Sequence, residues 1–348
     1  MMSIYLLILL MSFLVHFLAM VPFINFLYKI KFQRAHQHTT DAFDVRTPIF
    51  DKFHNSKAGT PVGGGILIAI ITTILYVLFL FILPYFGVTI TSNYPKISSE
   101  LILIIFTFIS FAILGFTDDI AKFYLSKGLK KTFFGIRLRH KLIIELVLAL
   151  MISSWLFYDL KIDLINVPFF RPLPVSWIFI PFSTFVIVAF ANALNITDGL
   201  DGLATGSLII SLVAFWSISI AIVDTPTQLF IALLLGGLLA FLYFNVHPAR
   251  IFLGDTGSLS LGATLAVIGL LLGKSFALVI IGGVFVVEAI SSLSQLLAKK
   301  LLGKKIMTVA PLHLLLQHYG WEESKIVMRA WIVAILLSLI GLMFAFLQ

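Results

Sequence analysis

The chain has no cysteine and little charge: 24 Lys and Arg against 16 Asp and Glu among 348 residues, 11% charged in all. Without a thiol, disulfides, thiolate nucleophiles and thiolate metal sites are excluded. With 60% hydrophobic residues and a mean hydropathy of +1.09, the sequence cannot cover itself with a water-facing surface, which excludes an ordinary soluble domain. Polar stretches run to about thirty residues, too short for a separate folded core. No internal repeat, low-complexity tract or linker divides the chain, so residues 1–348 read as one domain.

What is present instead is a series of long apolar runs. A helix that crosses a bilayer needs about 20 mostly apolar residues. Such runs lie near 3–27, 62–86, 99–117, 142–158, 174–192, 204–222, 228–245, 259–273, 276–296 and 328–347. The expectation is an all-α, polytopic integral membrane protein with about ten transmembrane helices. Lys274 splits the eighth and ninth runs awkwardly, into a short piece and a longer one. The first run has no Lys or Arg before it and no small-residue cleavage site after it, so it reads as a span and not as a signal peptide.

Lys29, Lys31 and Arg34 follow that run, which puts the N-terminus outside; ten spans then put the C-terminus outside too. Loops 28–61, 118–141, 193–203, 246–258 and 297–327 would be cytoplasmic. With Arg329 they hold all the Lys and Arg except Lys96, Lys161, Arg171 and Lys274. That asymmetry is the positive-inside signature. The net charge of +8 therefore reads as topology and as affinity for an anionic inner leaflet, with no nucleic-acid partner expected.

Five acids fall at this same boundary: Asp118 and Asp119 in "GFTDDIAKF", Asp198 and Asp201 in "NITDGLDG", and Asp255 in "NVHPARIFLGDTGSLSLG". One such aspartate is ordinarily a cap or a solvated loop residue. Five from three distant loops, at one membrane depth, would repel one another unless a cation joined them. Hard carboxylate oxygens suit Mg²⁺, which binds through one or two carboxylates plus substrate phosphates. Gly199, Gly202, Gly254 and Gly257 permit tight turns beside a ligand. A span begins after each acidic loop, so helix N-termini would aim N–H groups at a phosphate. Asp198 and Asp201, three apart, would share a face of a helical turn. Lys57 and Lys122 supply positive charge, although Lys122 is also the i,i+4 partner of Asp118. Asn192 and Asn195 precede the second acid pair.

These motifs resemble the polyprenyl-phosphate N-acetylhexosamine-1-phosphate transferases, and within them the phospho-N-acetylmuramoyl-pentapeptide branch. The resemblance runs through "HNSKAGTPVGGG" at 54–65, the three acidic motifs in order, and "APLHLLLQHYGWEESKIVMRAWIV" at 310–333. It implies ten spans with a bent or broken penultimate helix, a cleft open to the cytoplasm, and a bacterial inner-membrane location. It implies Mg²⁺-dependent transfer of phospho-MurNAc-pentapeptide from UDP-MurNAc-pentapeptide to undecaprenyl phosphate, giving lipid I and UMP for peptidoglycan synthesis. Dimers occur in the family, so a homodimer is a partner expectation. Carried over residue by residue, the metal ligand falls on Asp255, and the aspartate pair on Asp118 and Asp119, with Asp118 acting on the lipid phosphate. The acids of the nucleotide pocket fall on Asp198 and Asp201, and the ring that stacks on uracil on Phe252. Lys57 and Gln295 match further contacts to the nucleotide end, and His313 matches the first of three catalytic-loop histidines; Asn195 and Lys122, read from their place beside the acids, join the substrate-binding set.

The chain departs from the pattern at that loop. Three consecutive histidines followed by Phe-Glu become His313, Leu314, Leu315, Leu316 and Gln317. If the loop is helical, His318 shares a face with Leu314 and could replace the missing donor. The altered loop also keeps open a sibling transferase that moves GlcNAc- or another HexNAc-1-phosphate to the same lipid. From another class, a cation-coupled transporter would show acids at mid-membrane and repeated or interrupted spans. Direct attack by the lipid phosphate and a two-step route through an aspartyl-phosphate remain open at this stage.

Overall fold

The computed structural model describes residues 2–34, 53, 57–127, 135–170 and 172–347. Residues 54–56 of the first motif and parts of the loops at 28–61 and 118–141 lie outside them. Among the described residues the architecture is all-α, apart from one small antiparallel hairpin of β1 (Leu164–Ile165) and β2 (Leu173–Pro174). The helices are α1 (Met2–Lys29), α2 (Gly64–Ile82), α3 (Ile97–Lys127), α4 (Leu138–Tyr158), α5 (Phe179–Thr197), α6 (Leu203–Ala221), α7 (Thr225–Asn245), α8 (Gly254–Leu271), α9 (Ser275–Ile281), α10 (Gly283–Leu302), α11 (Leu312–His318) and α12 (Glu323–Phe346). Among them, nine stretches are long and apolar enough to cross a membrane, and the pair α9–α10 makes a tenth if counted as one span. A bilayer core offers backbone groups no water, so an apolar run satisfies its own N–H and C=O groups as a helix.

The chain is thus a multi-pass membrane protein of about ten spans. Lys274 stands at the turn between α8 and α9, where Gly273 takes a left-handed φ of 65°, and a second break follows at Gly282 and Gly283, where α9 and α10 meet with a bend of 78°. A glycine pair is a common place for such a kink.

The centre is α8, with 89% of its apolar window buried, and α7, with 83%; α1 and α12 are peripheral at 28% each. α8 is enclosed by α2, α3 and α5. The close approach needs glycine. A Cβ on Gly65 would strike the backbone of Gly257, and one on Gly115 would strike the carbonyl of Asp255. Small residues let helix backbones meet, which is how van der Waals contact replaces the hydrophobic drive inside a bilayer.

Several helices outrun the apolar segments read from the sequence. α3 continues past 117 to carry Asp118, Asp119 and Lys122 within the helix, and α8 starts at Gly254, so Asp255 sits in its first turn. Asp118 and Lys122 form an i,i+4 ion pair at 3.2 Å. The reversal between α5 and α6 is a turn and not a helical extension: Asp198 has ψ 44°, and Gly202 takes a left-handed φ of 79°.

Candidate active site

One end of the bundle carries a cleft where the end of α3, the α5–α6 turn and the segment before α8 converge with the strap that follows α1. It holds about 950 Å³ of empty space, part of it open to solvent, and is lined by residues including Arg34, Asp119, Lys122, Asn195, Asp198, Asp201, Phe252 and Asp255. All five aspartates singled out in the sequence come together here, or directly behind its wall in the case of Asp118.

At the floor, Asp118 and Asp255 face each other across two ammonium groups. Lys122 Nζ lies 2.8 Å from Asp255 Oδ1 and 3.2 Å from Asp118 Oδ2; Lys141 Nζ lies 2.5 Å from Asp255 Oδ2 and 3.2 Å from the same Asp118 oxygen. The second oxygen of Asp118 accepts the Ile136 N–H at 2.7 Å. Asp119 does something different. It accepts the N–H groups of Asp255 and Thr256 at 2.9 Å each, and the Thr256 hydroxyl at 2.7 Å. The positive N-terminal end of α8 is therefore occupied by Asp119, not left open for a phosphate.

A second cluster borders the α5–α6 turn. Lys57 Nζ donates to Asp201 Oδ1 at 2.7 Å and to Glu323 Oε1 at 2.5 Å. Glu323 Oε1 also accepts the Asp201 N–H at 2.7 Å, and the other Asp201 oxygen meets His247 Nδ1 and the Ala249 N–H at 3.0 Å each. Burial alone would raise the Asp201 pKa, but Lys57, Ala249 and His247 hold it below the usual carboxylate value. Asp198 has weaker compensation. Burial, opposed mainly by Arg34, pushes its pKa up to about 8. The Arg34 guanidinium carbon lies 5.4 Å over the Phe252 ring, a cation–π contact within the cleft. Asn195 Nδ2 donates to Ser258 at 2.7 Å and holds α5 against α8 beside Asp198.

His313 is buried behind the wall. Its Nδ1 lies 3.0 Å from Glu288 Oε2, its backbone N–H reaches the same carboxylate, and Nε2 lies against Gly199. Glu288 thus fixes the ring with Nε2 toward the α5–α6 turn. Gln295 is spent on the loop before α11: it accepts the N–H groups of Ile306 and Met307 and donates to the Met307 carbonyl. It does not line the cleft. α11 is helical, as the His318 substitution idea required, but Leu314 is buried whereas His318 is exposed at the helix end beside Tyr319. The i,i+4 spacing thus does not put His318 in the surroundings of Leu314, since the last turn of α11 faces solvent.

The donor set fits a hard divalent cation. Two carboxylates converge on points that ammonium nitrogens now fill, and all the converging ligand atoms are oxygens. Asp255 and Asp118 would hold such an ion once the ammonium groups between them moved aside.

Sequence reasoning missed four residues of this site: Arg34, Lys141, His247 and Glu323. Lys141, just before the fourth apolar run, and Arg34 read in the sequence as topology charges; His247 and Glu323 stand inside the quoted motifs, where no local pattern gives them a role. Their positions follow only from packing.

Comparison with known proteins bears on most of the chain. Residues 101–273 match the model of Glycosyl transferase family 4. The chain is 38% identical over 333 residues to a phospho-N-acetylmuramoyl-pentapeptide-transferase of Rickettsia canadensis, covering 90% of this chain and 86% of the relative. Proteins of the same name from Caldanaerobacter subterraneus subsp. tengcongensis and Leptospira biflexa are 37% and 38% identical, covering 82% and 83% of this chain and 84% and 81% of their own lengths.

Proposed function

Since the chain belongs to the phospho-N-acetylmuramoyl-pentapeptide-transferase family, and is a multi-pass membrane transferase, we propose that it moves phospho-MurNAc-pentapeptide from UDP-MurNAc-pentapeptide to undecaprenyl phosphate, releasing UMP. The observation that carries this reading is the juxtaposition of Asp118 and Asp255 with two lysines at the floor of a cleft whose wall bears Phe252 and Arg34. Phosphoryl transfer asks a protein for positioning and charge neutralisation more than for covalent chemistry.

Phe252 stacks on the base of the nucleotide, and Arg34 moves from its ring face toward the pyrophosphate. Asp255 and Asp118 would hold Mg²⁺, which when bound would supply positive charge to neutralise the pyrophosphate and the departing nucleotide. Lys122, facing the open cleft, meets the phosphates. Asp118 orients the acceptor phosphate, already an anion at neutral pH and competent to attack directly. Asp119 keeps the first turn of α8, and with it Asp255, in place. Lys57 is the internal counter-ion of Asp201 and Glu323. Every cleft-forming loop belongs to the basic set, which supports a cytoplasmic cleft in the bacterial inner membrane with both termini outside.

Leu314 and Leu315 at the second and third histidine positions favour testing one alternative donor, a UDP-linked N-acetylhexosamine without the peptide. Purified protein with undecaprenyl phosphate and Mg²⁺ is assayed for UMP release with UDP-MurNAc-pentapeptide and with UDP-GlcNAc in parallel. Release with the first donor alone supports the proposal. Release with the second alone replaces the substrate, and release with neither overturns the transferase assignment for this site.

A further inference from the structure

Glu145 lies one helical turn after Lys141 on the buried face of α4, together with Ala149, Ile152 and Leu156. It is fully buried. One carboxylate oxygen accepts the Asn192 amide at 2.5 Å; the other is also buried and has no hydrogen-bond partner among the described residues. A buried carboxylate oxygen without a partner is costly, and native structures rarely keep one idle. The nearest turn of the same helix supplies an ammonium: Lys141 and Glu145 stand in the i,i+4 relation that lets side chains meet.

Lys141 is at present committed elsewhere. It bridges Asp255 and Asp118 from the inner side, with its side chain 11% exposed, while Lys122 bridges them from the cleft side at 30%. Two aspartates and two lysines balance in charge, and both Asp255 oxygens are taken. A divalent cation cannot enter while both ammonium groups remain: its ligands are occupied, and two lysines beside it would repel it in a poorly screened site. Lys122 can step back into the open cleft and stay hydrated. Lys141, at 11% exposure, has little room to hydrate among the described residues and is better served by a buried acceptor.

We propose that Lys141 is a displaceable counter-ion of the acid cluster, and that Glu145 is the seat it moves to when a divalent cation occupies Asp255 and Asp118. In the empty site Lys141 keeps the two aspartates from repelling each other. On cation entry its ammonium turns along α4 to the free oxygen of Glu145, so neither charge is left buried alone. Glu145 is thus a positioning residue that acts on metal affinity through Lys141. The inference rests on the reading of Asp255 as a cation ligand.

The test is direct binding of Mn²⁺ to the full-length detergent-solubilised protein without nucleotide or lipid, read by electron paramagnetic resonance of the free ion. Glu145→Gln keeps the volume and an oxygen for Asn192 but cannot seat an ammonium, and is expected to weaken Mn²⁺ binding by roughly tenfold, the scale of coupling between contacting charged groups. Lys141→Gln removes the counter-ion and is expected to tighten binding. Combined with Lys141→Gln, the Glu145→Gln change is expected to shift affinity by less than about twofold, because no ammonium then needs the seat. Thermal unfolding verifies that each variant folds; if Glu145→Gln does not, Glu145→Asp, which keeps the charge on a shorter arm, reads the same coupling with a smaller loss. An equal effect of the Glu145 change in both backgrounds, or none in the wild type, overturns the proposal. Asp255→Asn separates the two levels. If it abolishes Mn²⁺ binding while Glu145→Gln has no effect, only the seat is wrong. If it leaves binding intact, the metal reading falls and the seat with it.

Discussion

Asp119 accepts the backbone N–H of Asp255 at 2.9 Å, so one acid of the adjacent pair on α3 holds the first turn of α8 from which the other side of the site projects. Asp118, its neighbour in sequence, makes ion pairs with Lys122 and Lys141 instead. Two consecutive aspartates thus have separable roles. Asp119→Asn is expected to lower stability by about 1–3 kcal/mol, because a buried, charge-assisted network loses an acceptor. Asp118→Asn, which keeps an acceptor for Ile136 and leaves Asp255 as counter-ion to both lysines, is expected to lower the unfolding midpoint as well, but its distinguishing effect is a strong reduction of kcat beyond that of Asp119→Asn. Thermal melts and turnover measured on both variants check this; equal melts with equal rate losses would merge the two roles.

Asp255→Asn is expected to abolish turnover at saturating donor, since a neutral amide weakens the hold on Mg²⁺. A Mg²⁺ titration of the rate decides it. A near wild-type kcat at modest Mg²⁺ would remove Asp255 from the metal site.

Phe252→Ala is expected to weaken uridine-nucleotide binding by about 1–3 kcal/mol, the range for a base stacked on an aromatic ring. Phe252→Trp is expected to be much milder. Calorimetric titration with UDP gives the comparison, and three equal affinities would leave Phe252 as a packing residue held under Arg34.

Lys57→Met leaves Asp201 and Glu323 without their shared cation, and both are nearly buried, with side chains 4% and 9% exposed. Breaking such a buried arrangement from one side costs about 3–5 kcal/mol. The expected result is a large fall in the unfolding midpoint, with partial recovery when Glu323→Gln is added. A variant that melts like the wild type but binds the donor poorly would make Lys57 a phosphate ligand instead.

Asp198 supplies the pH dependence. Its pKa is raised from 3.8 to about 8 in the folded protein, chiefly by burial. The folded state therefore holds the proton more tightly than the unfolded one, so the stabilising contribution is full below pH 3.8 and is lost as pH climbs through about 8. Melting curves from pH 5 to 9 are expected to fall more steeply for the wild type than for Asp198→Asn. Parallel curves would show that Asp198 ionises at its ordinary value.

The membrane architecture was legible in the chain because the bilayer imposes a rule that acts locally: about 20 apolar residues must satisfy their own backbone groups as a helix. The break near Lys274 showed for the same reason, as an interruption of an apolar run. The five aspartates stood out because acids are rare in such a sequence. Their division of labour did not, since a carboxylate has the same composition whether it caps a helix, as Asp119 does, or faces lysines, as Asp118 and Asp255 do. The helices run on to Lys127 and start at Gly254, beyond the apolar runs, because ion pairing and capping let polar residues continue a helix that hydropathy ends. Arg34, Lys141, His247 and Glu323 come from four segments separated by tens to hundreds of residues, and no local period marks them. Only the tertiary fold gathers them around the aspartates, Lys141 at Asp118 and Asp255, His247 and Glu323 at Asp201, and Arg34 over Phe252, because electrostatic partners in a folded chain are chosen by proximity in space and not by spacing in sequence.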